Sequence, residues 1–169
     1  MRMKIRQLTP ADTTLYIEHR RQALQTEPLA FLSSPQDDLT ADADAFRERL
    51  GQAPLSVIFG AFEDELVGSV GIYREPKLKA AHKADIWGMY VAPKYRRRGI
   101  GRELLLEALE HARSSPGVIQ VQLGVSEVAV GARKLYESMG FRPWGEEPRY
   151  LQHEGRYVSC QYLVLRLDA

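Results

Sequence analysis

The chain contains one cysteine, Cys160, in 169 residues. A single cysteine excludes an internal disulfide and fits a reducing compartment. Cys160 lies in an apolar, strand-like run, which suits a buried thiol rather than a nucleophile. The four histidines (His19, His82, His111 and His153) show no metal-ligand spacing, so no metal is expected. No apolar run approaches the roughly 18 residues of a membrane span. Met1-Arg2-Met3-Lys4-Ile5-Arg6 lacks the apolar centre of a secretory signal, and a cytoplasmic location is expected. Charge of one sign is also missing: 23 Lys and Arg face 22 Asp and Glu, a net charge of +1. No global field therefore draws the chain to nucleic acid or to a membrane surface. There is no repeat, low-complexity tract or linker, and the length fits one domain spanning 1–169.

Two phosphate-binding motifs are absent on spacing. A P-loop needs Gly-Lys followed by Ser or Thr, whereas Arg102-Glu103 follows Gly101. The dinucleotide fingerprint needs a third glycine, and position 104 is Leu. What is present is Arg96-Arg97-Arg98-Gly99-Ile100-Gly101, set between a strand-like run (85–91) and a helix-like run (102–114). Glycine lets the backbone approach a ligand and take positive φ. The first N–H groups of a helix have no intrahelical partner, and the macrodipole makes that end positive. Such a site suits a pyrophosphate, and arginines add bidentate donors.

Periodicity predicts the rest. Lys4 to Leu8 reads as a strand. Thr9-Pro10 opens a helix with Asp12 completing a capping box, Tyr16, Arg20, Ala23 and Leu24 on one face, and Pro28 as its stop. Thr40 caps a second helix that carries Phe46 and Leu50 and ends at Gly51. Ser56 to Phe62 and Leu66 to Tyr73 form a hairpin around Glu63-Asp64-Glu65. Ile100, Leu104, Leu105, Ala108, Leu109 and Ala112 form a wide apolar stripe, the face of a helix packed on a sheet. Val118 to Val125 is a strand and Val128 to Met139 a helix that stops at Gly140. Arg149 to Gln152 and Arg156 to Leu167 pair around His153-Glu154-Gly155. The result is a mixed α/β sheet with helices on both faces.

Arg-x-x-Gly-x-Gly resembles the pyrophosphate loop of the GNAT superfamily of acyl-CoA-dependent N-acetyltransferases. Gly88-Met89-Tyr90-Val91-Ala92-Pro93-Lys94-Tyr95 resembles the family's central strand and its exit. Leu135-Tyr136-Glu137-Ser138-Met139-Gly140-Phe141 resembles its late helix and following strand. The resemblance covers residues 85–141. Over 20–34 it is weaker, where Pro28-Leu29-Ala30-Phe31 is similar to a subgroup with no substrate attached to it. The resemblance implies a single-domain fold: a twisted, mostly antiparallel sheet of six to seven strands with splayed central strands. It implies direct transfer of the acetyl group of acetyl-CoA to a small-molecule or peptide amine.

By the same resemblance, the backbone of Met89, Tyr90 and Val91 holds the pantetheine arm, and the Met89 N–H points at the thioester oxygen. Arg96, Arg97, Arg98, Gly99, Ile100, Gly101 and Arg102 hold the pyrophosphate. Tyr136 protonates the departing thiolate, or is a core tyrosine. Asp85, eleven residues before Arg96, is a general base acting through water, or a solvated loop end; alternation places Asp85, Trp87, Met89 and Val91 on one strand face. Family helices often carry Asn seven residues before this tyrosine, to touch the cofactor. Here that residue is Ala129, with Ser126 or Arg133 as possible substitutes. Trp87, Trp144, Tyr16, Phe31 and Tyr150 are open to acceptor-pocket or core roles. Dimers are common in the family, and Arg156 to Leu167 offers interface material. A non-catalytic acyl-CoA sensor is the alternative. Nucleic-acid binding through Arg96-Arg97-Arg98 and the lysines near 77–83 fits neither the net charge nor any recognised motif.

Overall fold

The structure, a computed structural model, describes residues 2–169. In chain order the elements are β1 (Lys4–Gln7), α1 (Thr13–Thr26), α2 (Ala43–Leu50), β2 (Ser56–Phe62), β3 (Leu66–Arg74), β4 (Lys83–Val91), α3 (Ile100–Arg113), β5 (Gln120–Ser126), α4 (Val130–Ser138), β6 (Arg142–His153) and β7 (Arg156–Arg166). One seven-stranded sheet runs β1-β2-β3-β4-β5-β7-β6. Every neighbouring pair is antiparallel except β4 and β5. The anticipated mixed, mostly antiparallel sheet with helices on both faces is therefore the observed one.

The largest cluster of buried side chains joins the α3 stripe (Ile100, Leu104, Leu105, Ala108, Leu109, Ala112) to β2 through β5 and to Tyr136 and Phe141. On the other face, Tyr16 of α1 stacks on Phe46 of α2 at 5.0 Å, with Leu8, Leu50, Ile58 and Leu66 around them. Pro10–Asp12 forms a short 3-10 turn that leads into α1, with the Thr9–Asp12 capping box in place. Arg6 grips the same Asp12 carboxylate through two hydrogen bonds of 2.8 and 2.9 Å.

Three local expectations are corrected. Thr40 does not cap α2: Asp42 does, accepting from the N–H groups of Asp44 and Ala45. The Thr40 hydroxyl instead donates to Asp38 at 2.7 Å. The strand after α4 begins at Arg142, well before Arg149, and bends through two register shifts. Finally, β7 lies between β5 and β6, so both its edges are paired; the free edges belong to β1 and β6.

His19, on α1, is 5% exposed. Neither ring nitrogen has a hydrogen-bond partner among the described residues. Burial lowers its pKa to about 4, against a weak opposing pull from the Leu66 backbone. Below the unfolded pKa near 6.5, the unfolded chain takes up a proton that the folded chain refuses until about pH 4. Stability is thus expected to fall as pH drops across that window, by on the order of 2–3 kcal/mol. Urea denaturation from pH 7 to 4.5 checks this. The slope should flatten in His19→Leu; an equally steep slope there would remove His19 as its cause.

Candidate active site

Ladder pairing between β4 and β5 stops at Asp85 and Gln122. Beyond that point β4 continues to Val91 and β5 to Ser126 with no pairing between them, while each keeps its other neighbour. The two central strands therefore splay, and the gap exposes unpaired backbone on β4, the kind of edge that an amide-bearing chain can extend.

A β-bulge sharpens this edge. Gly71 pairs with Trp87 and Ser69 with Tyr90, so the single Val70 faces both Gly88 and Met89. Gly88 takes φ +65°, a conformation suited to glycine. The extra residue inverts the alternation. Ile86, Met89 and Val91 pack towards α3, while Trp87 and Tyr90 pack towards α1 and α2. The expected sharing of one face by Asp85, Trp87, Met89 and Val91 does not hold, because strict alternation ends at Gly88. Asp85 falls on the Trp87 side, at the last paired position. Burial raises its carboxyl pKa, partly offset by the adjacent Gln122 side chain.

A cavity of about 540 Å³ opens at the gap. Met89, Tyr90 and Val91 form one wall; Arg97, Gly99, Ile100, Gly101 and Arg102 form the next. Val128 to Ala132 and Leu135, around the start of α4, close the third side, with Glu27, Ala30 and Phe31 above. Gly99 caps α3 at φ +80°. Its carbonyl accepts the Glu103 N–H, the first α-helical bond, so the N–H groups of Ile100, Gly101 and Arg102 have no place in the helical ladder. A Cβ on Gly101 would stand 3.3 Å from Leu135, so this glycine sets how closely α3 and α4 approach.

The three arginines divide by partner. Arg96 donates through Nε to the Val91 carbonyl at 2.8 Å and pairs through Nη2 with Glu27 at 2.8 Å. It straps the end of β4 to the end of α1. Arg98 turns away to Glu63 at 3.2 Å, against the Tyr95 ring. Arg96, Arg97 (φ +62°) and Arg102 all line the cavity; of the three, Arg97 and Arg102 have no carboxylate partner among the described residues. Glu27 was not anticipated; its link to Arg96 spans 69 positions and leaves no local mark.

Neither suggested substitute for the missing Asn reaches the cavity. The Ser126 hydroxyl donates to the Leu29 carbonyl at 2.6 Å, and Arg133 pairs with Glu137 along α4 at 3.1 Å. Ala129 is the N-cap of α4 and lines the cavity, with no polar side-chain group to offer a ligand. Tyr136 is buried, edge-on to Phe141 at 5.9 Å, one residue beyond the cavity-lining Leu135. Its hydroxyl has no hydrogen-bond partner among the described residues, and burial raises its pKa well above the ordinary phenol range.

Of the aromatic candidates, Phe31 lines the cavity and Tyr16 is core. The Trp87 indole lies over Gly71, where any Cβ would strike it. Trp144 is 63% exposed and stacks on Tyr162. Tyr150 is half-buried on β6. Cys160 is buried, and its thiol pKa is raised chiefly by that burial. Among the described residues no three His, Cys, Asp or Glu side chains group to hold a metal, and no helix is long and apolar enough to cross a membrane.

Residues 20–141 match the model of the acetyltransferase (GNAT) family. The chain is 26% identical over 120 residues to the L-amino acid N-acetyltransferase AaaT of Escherichia coli, covering 70% of this chain and 74% of that protein. It is 34% identical over 127 residues to the mycothiol acetyltransferase of Thermobispora bispora, covering 72% of this chain and 42% of that one. The chain therefore spans less than half of this second relative. A putative acetyltransferase from Salmonella typhimurium, solved with acetyl-CoA, superposes with a TM-score of 0.83 at 22% identity, covering 100% of this chain and 96% of that one.

Proposed function

The chain belongs to the GNAT family of acetyltransferases, and we propose that it moves the acetyl group of acetyl-CoA to a primary amine by direct attack in a ternary complex. One observation carries this reading. The N-terminus of α3 at Gly99 and the β4 segment Met89 to Val91, which has no partner on its β5 side, open into the same cavity. A ligand with a pyrophosphate at one end and amides along its length matches both walls. The E. coli relative's activity on amino acids supports an amine acceptor.

The roles follow from the partners already described. The N–H groups of Ile100, Gly101 and Arg102, with the Arg97 and Arg102 guanidinium groups, hold the pyrophosphate. Arg96 acts as a strap instead, fixing Val91 and Glu27 at the rim. The Met89 N–H, next to the Gly88 bulge, faces the thioester oxygen. A donor of this kind typically contributes about 3 kcal/mol in the transition state. Tyr136 supplies the proton for the leaving thiolate. Attack by the neutral amine forms the C–N bond and breaks the C–S bond, releasing an amide and a thiol.

The test is thermal unfolding with acetyl-CoA, with ATP and NAD as controls. Ligand at a hundred times its dissociation constant adds about 2.7 kcal/mol, a rise of roughly 5–11 °C for a chain of this size. Arg97→Ala and Arg102→Ala should each raise the dissociation constant about tenfold, the loss of one charge-assisted bond. Arg98→Ala should change it less than twofold. An equal shift with ATP, or equal losses at all three arginines, would refute this assignment of the loop.

A further inference from the structure

Half of one sheet face carries no helix. α1 and α2 cover β2 to β4 on their side, whereas α3 and α4 cover the opposite side. Val121, Leu123, Val125 and Leu163 point to the α3 side, so Gly124 of β5 and Cys160 and Tyr162 of β7 point to the other. Gly124 pairs with Tyr162 and stands two residues beyond Gln122, where the β4–β5 gap has opened. Because Gly124 has no Cβ, the Tyr162 ring lies directly on the strand; a Cβ there would be 3.2 Å from its Cε1.

The Tyr162 hydroxyl donates to Glu147 Oε2 at 2.6 Å. Glu147 Oε1 takes no hydrogen bond from a described residue, and the side chain is exposed. The Trp144 ring stacks on Tyr162 at 5.4 Å and 26°. Two register shifts in β6, one around Trp144 and one after Glu147 with Arg149 at φ +53°, interrupt the alternation that sets where these side chains lie. A carboxylate with one oxygen held by a tyrosine hydroxyl and the other open, beside a stacked tyrosine–tryptophan pair, is an arrangement that receives an organic cation.

We propose that Glu147 is the group that receives the acceptor, binding its ammonium and taking its proton, with Tyr162 as its positioning residue and Trp144 as a wall. The acceptor class is then an aliphatic amine that is protonated at neutral pH. This inference rests on the acetyl-transfer reading above. In balance, the ammonium gives one proton to Glu147 Oε1, and the freed lone pair forms the C–N bond. The C–S bond breaks, Tyr136 gives its proton to the thiolate and regains one from the amine's second proton, and Glu147 releases its own to solvent. The titratable groups facing Glu147 are Tyr162, Cys160 and Tyr150, all with raised pKa values. All three stay protonated at pH 7, so none of them adds a negative charge beside Glu147. Asp85 stands at the last paired position, four residues from Met89 and on the other side of the bulge, more than about 9 Å back along the strand.

The test uses n-butylamine and spermidine as acceptors and reads thiol release from acetyl-CoA. Glu147→Gln keeps an oxygen for Tyr162 but removes the charge. It should lower kcat/KM ten- to a hundredfold at pH 7, with the deficit shrinking towards pH 10, where solution supplies neutral amine. Tyr162→Phe should lose less and move the apparent pKa of the rate profile. The acetyl-CoA-induced thermal shift should persist in both variants, which separates this inference from the cofactor reading. Full activity in Glu147→Gln, or a larger loss in Asp85→Asn than in Glu147→Gln, overturns the inference. So does a wild-type enzyme that shifts with acetyl-CoA yet acetylates neither amine. No shift at all overturns the acetyl-transfer reading itself.

Discussion

Tyr136→Phe is expected to keep the fold and acetyl-CoA binding while kcat falls about 10²–10³-fold, the usual scale for loss of a positioned proton donor. The fold should hold because the ring stays: its edge contact with Phe141 needs no hydroxyl, and removing one that makes no hydrogen bond to the protein costs little. The Tyr136 hydroxyl makes no hydrogen bond to a described residue, yet it is not among the fully buried unpartnered atoms and so keeps some open surface. The open hydroxyl is explained if its partner arrives with the substrate. The raised pKa, which comes from burial, keeps the group protonated at every working pH, so it can only donate. Stopped-time assays of thiol release, beside thermal unfolding with and without acetyl-CoA, separate the outcomes. An unchanged kcat makes Tyr136 a packing residue only. A lost thermal shift means that the ring's contribution is structural.

Elements built from local periodicity were legible in the sequence, and those built by distant contacts were not. The α3 stripe from Ile100 to Ala112 and the hairpin at Glu63 announce themselves because the hydrophobic pattern repeats within one element. The Gly99 turn could be read because glycine before a helix has few other uses. The bulge at Gly88 could not: a glycine inside an apolar strand looks the same whether the ladder runs straight or slips. Its consequence, Met89 and Asp85 on opposite faces, therefore had to come from the register with β3. The first half of β6 was hidden because Arg142-Pro143 and Glu147-Pro148 lack strand chemistry; it survives as an irregular edge. The division of labour among Arg96, Arg97 and Arg98 was equally invisible. Three adjacent arginines read alike until Glu27 and Glu63 claim two of them.

Asp38→Ala should be the most destabilising single change considered, at about 3–5 kcal/mol, because it strands a buried cation. Arg20 is 7% exposed and Asp38 4%. The guanidinium reaches the carboxylate at 2.9 Å through Nη2 and 3.3 Å through Nε, and Thr40 adds its hydroxyl and its N–H. Nη1 already lacks a partner among the described residues, so Arg20 has no second anion to turn to. For this chain length the expected fall in Tm is roughly 6–20 °C. The damage should also reach the cavity. Asp38 anchors the connection between α1 and α2, and Phe31 from that connection covers the Arg20 guanidinium at 5.1 Å while lining the cavity. Acetyl-CoA should therefore bind more weakly in the variant, although Asp38 lies outside the cavity. Replacing both partners, Arg20→Met with Asp38→Leu, removes the charge along with its counterion and should restore most of the stability. The pH dependence gives an independent check. Burial pushes the Asp38 carboxyl up, but the Arg20 and Thr40 bonds outweigh it and hold the group below its ordinary value. Its contribution is thus present above the unfolded carboxylate pKa and lost as pH falls through the folded one. That loss lies below about pH 4, beyond the window assigned to His19. Acid titration of the double variant should retain the His19 slope and reduce the lower one to the part that Asp12 contributes through Arg6. Equal stabilities for Asp38→Ala and the double variant would mean that no buried charge had been stranded and that the pair contributes only its packing.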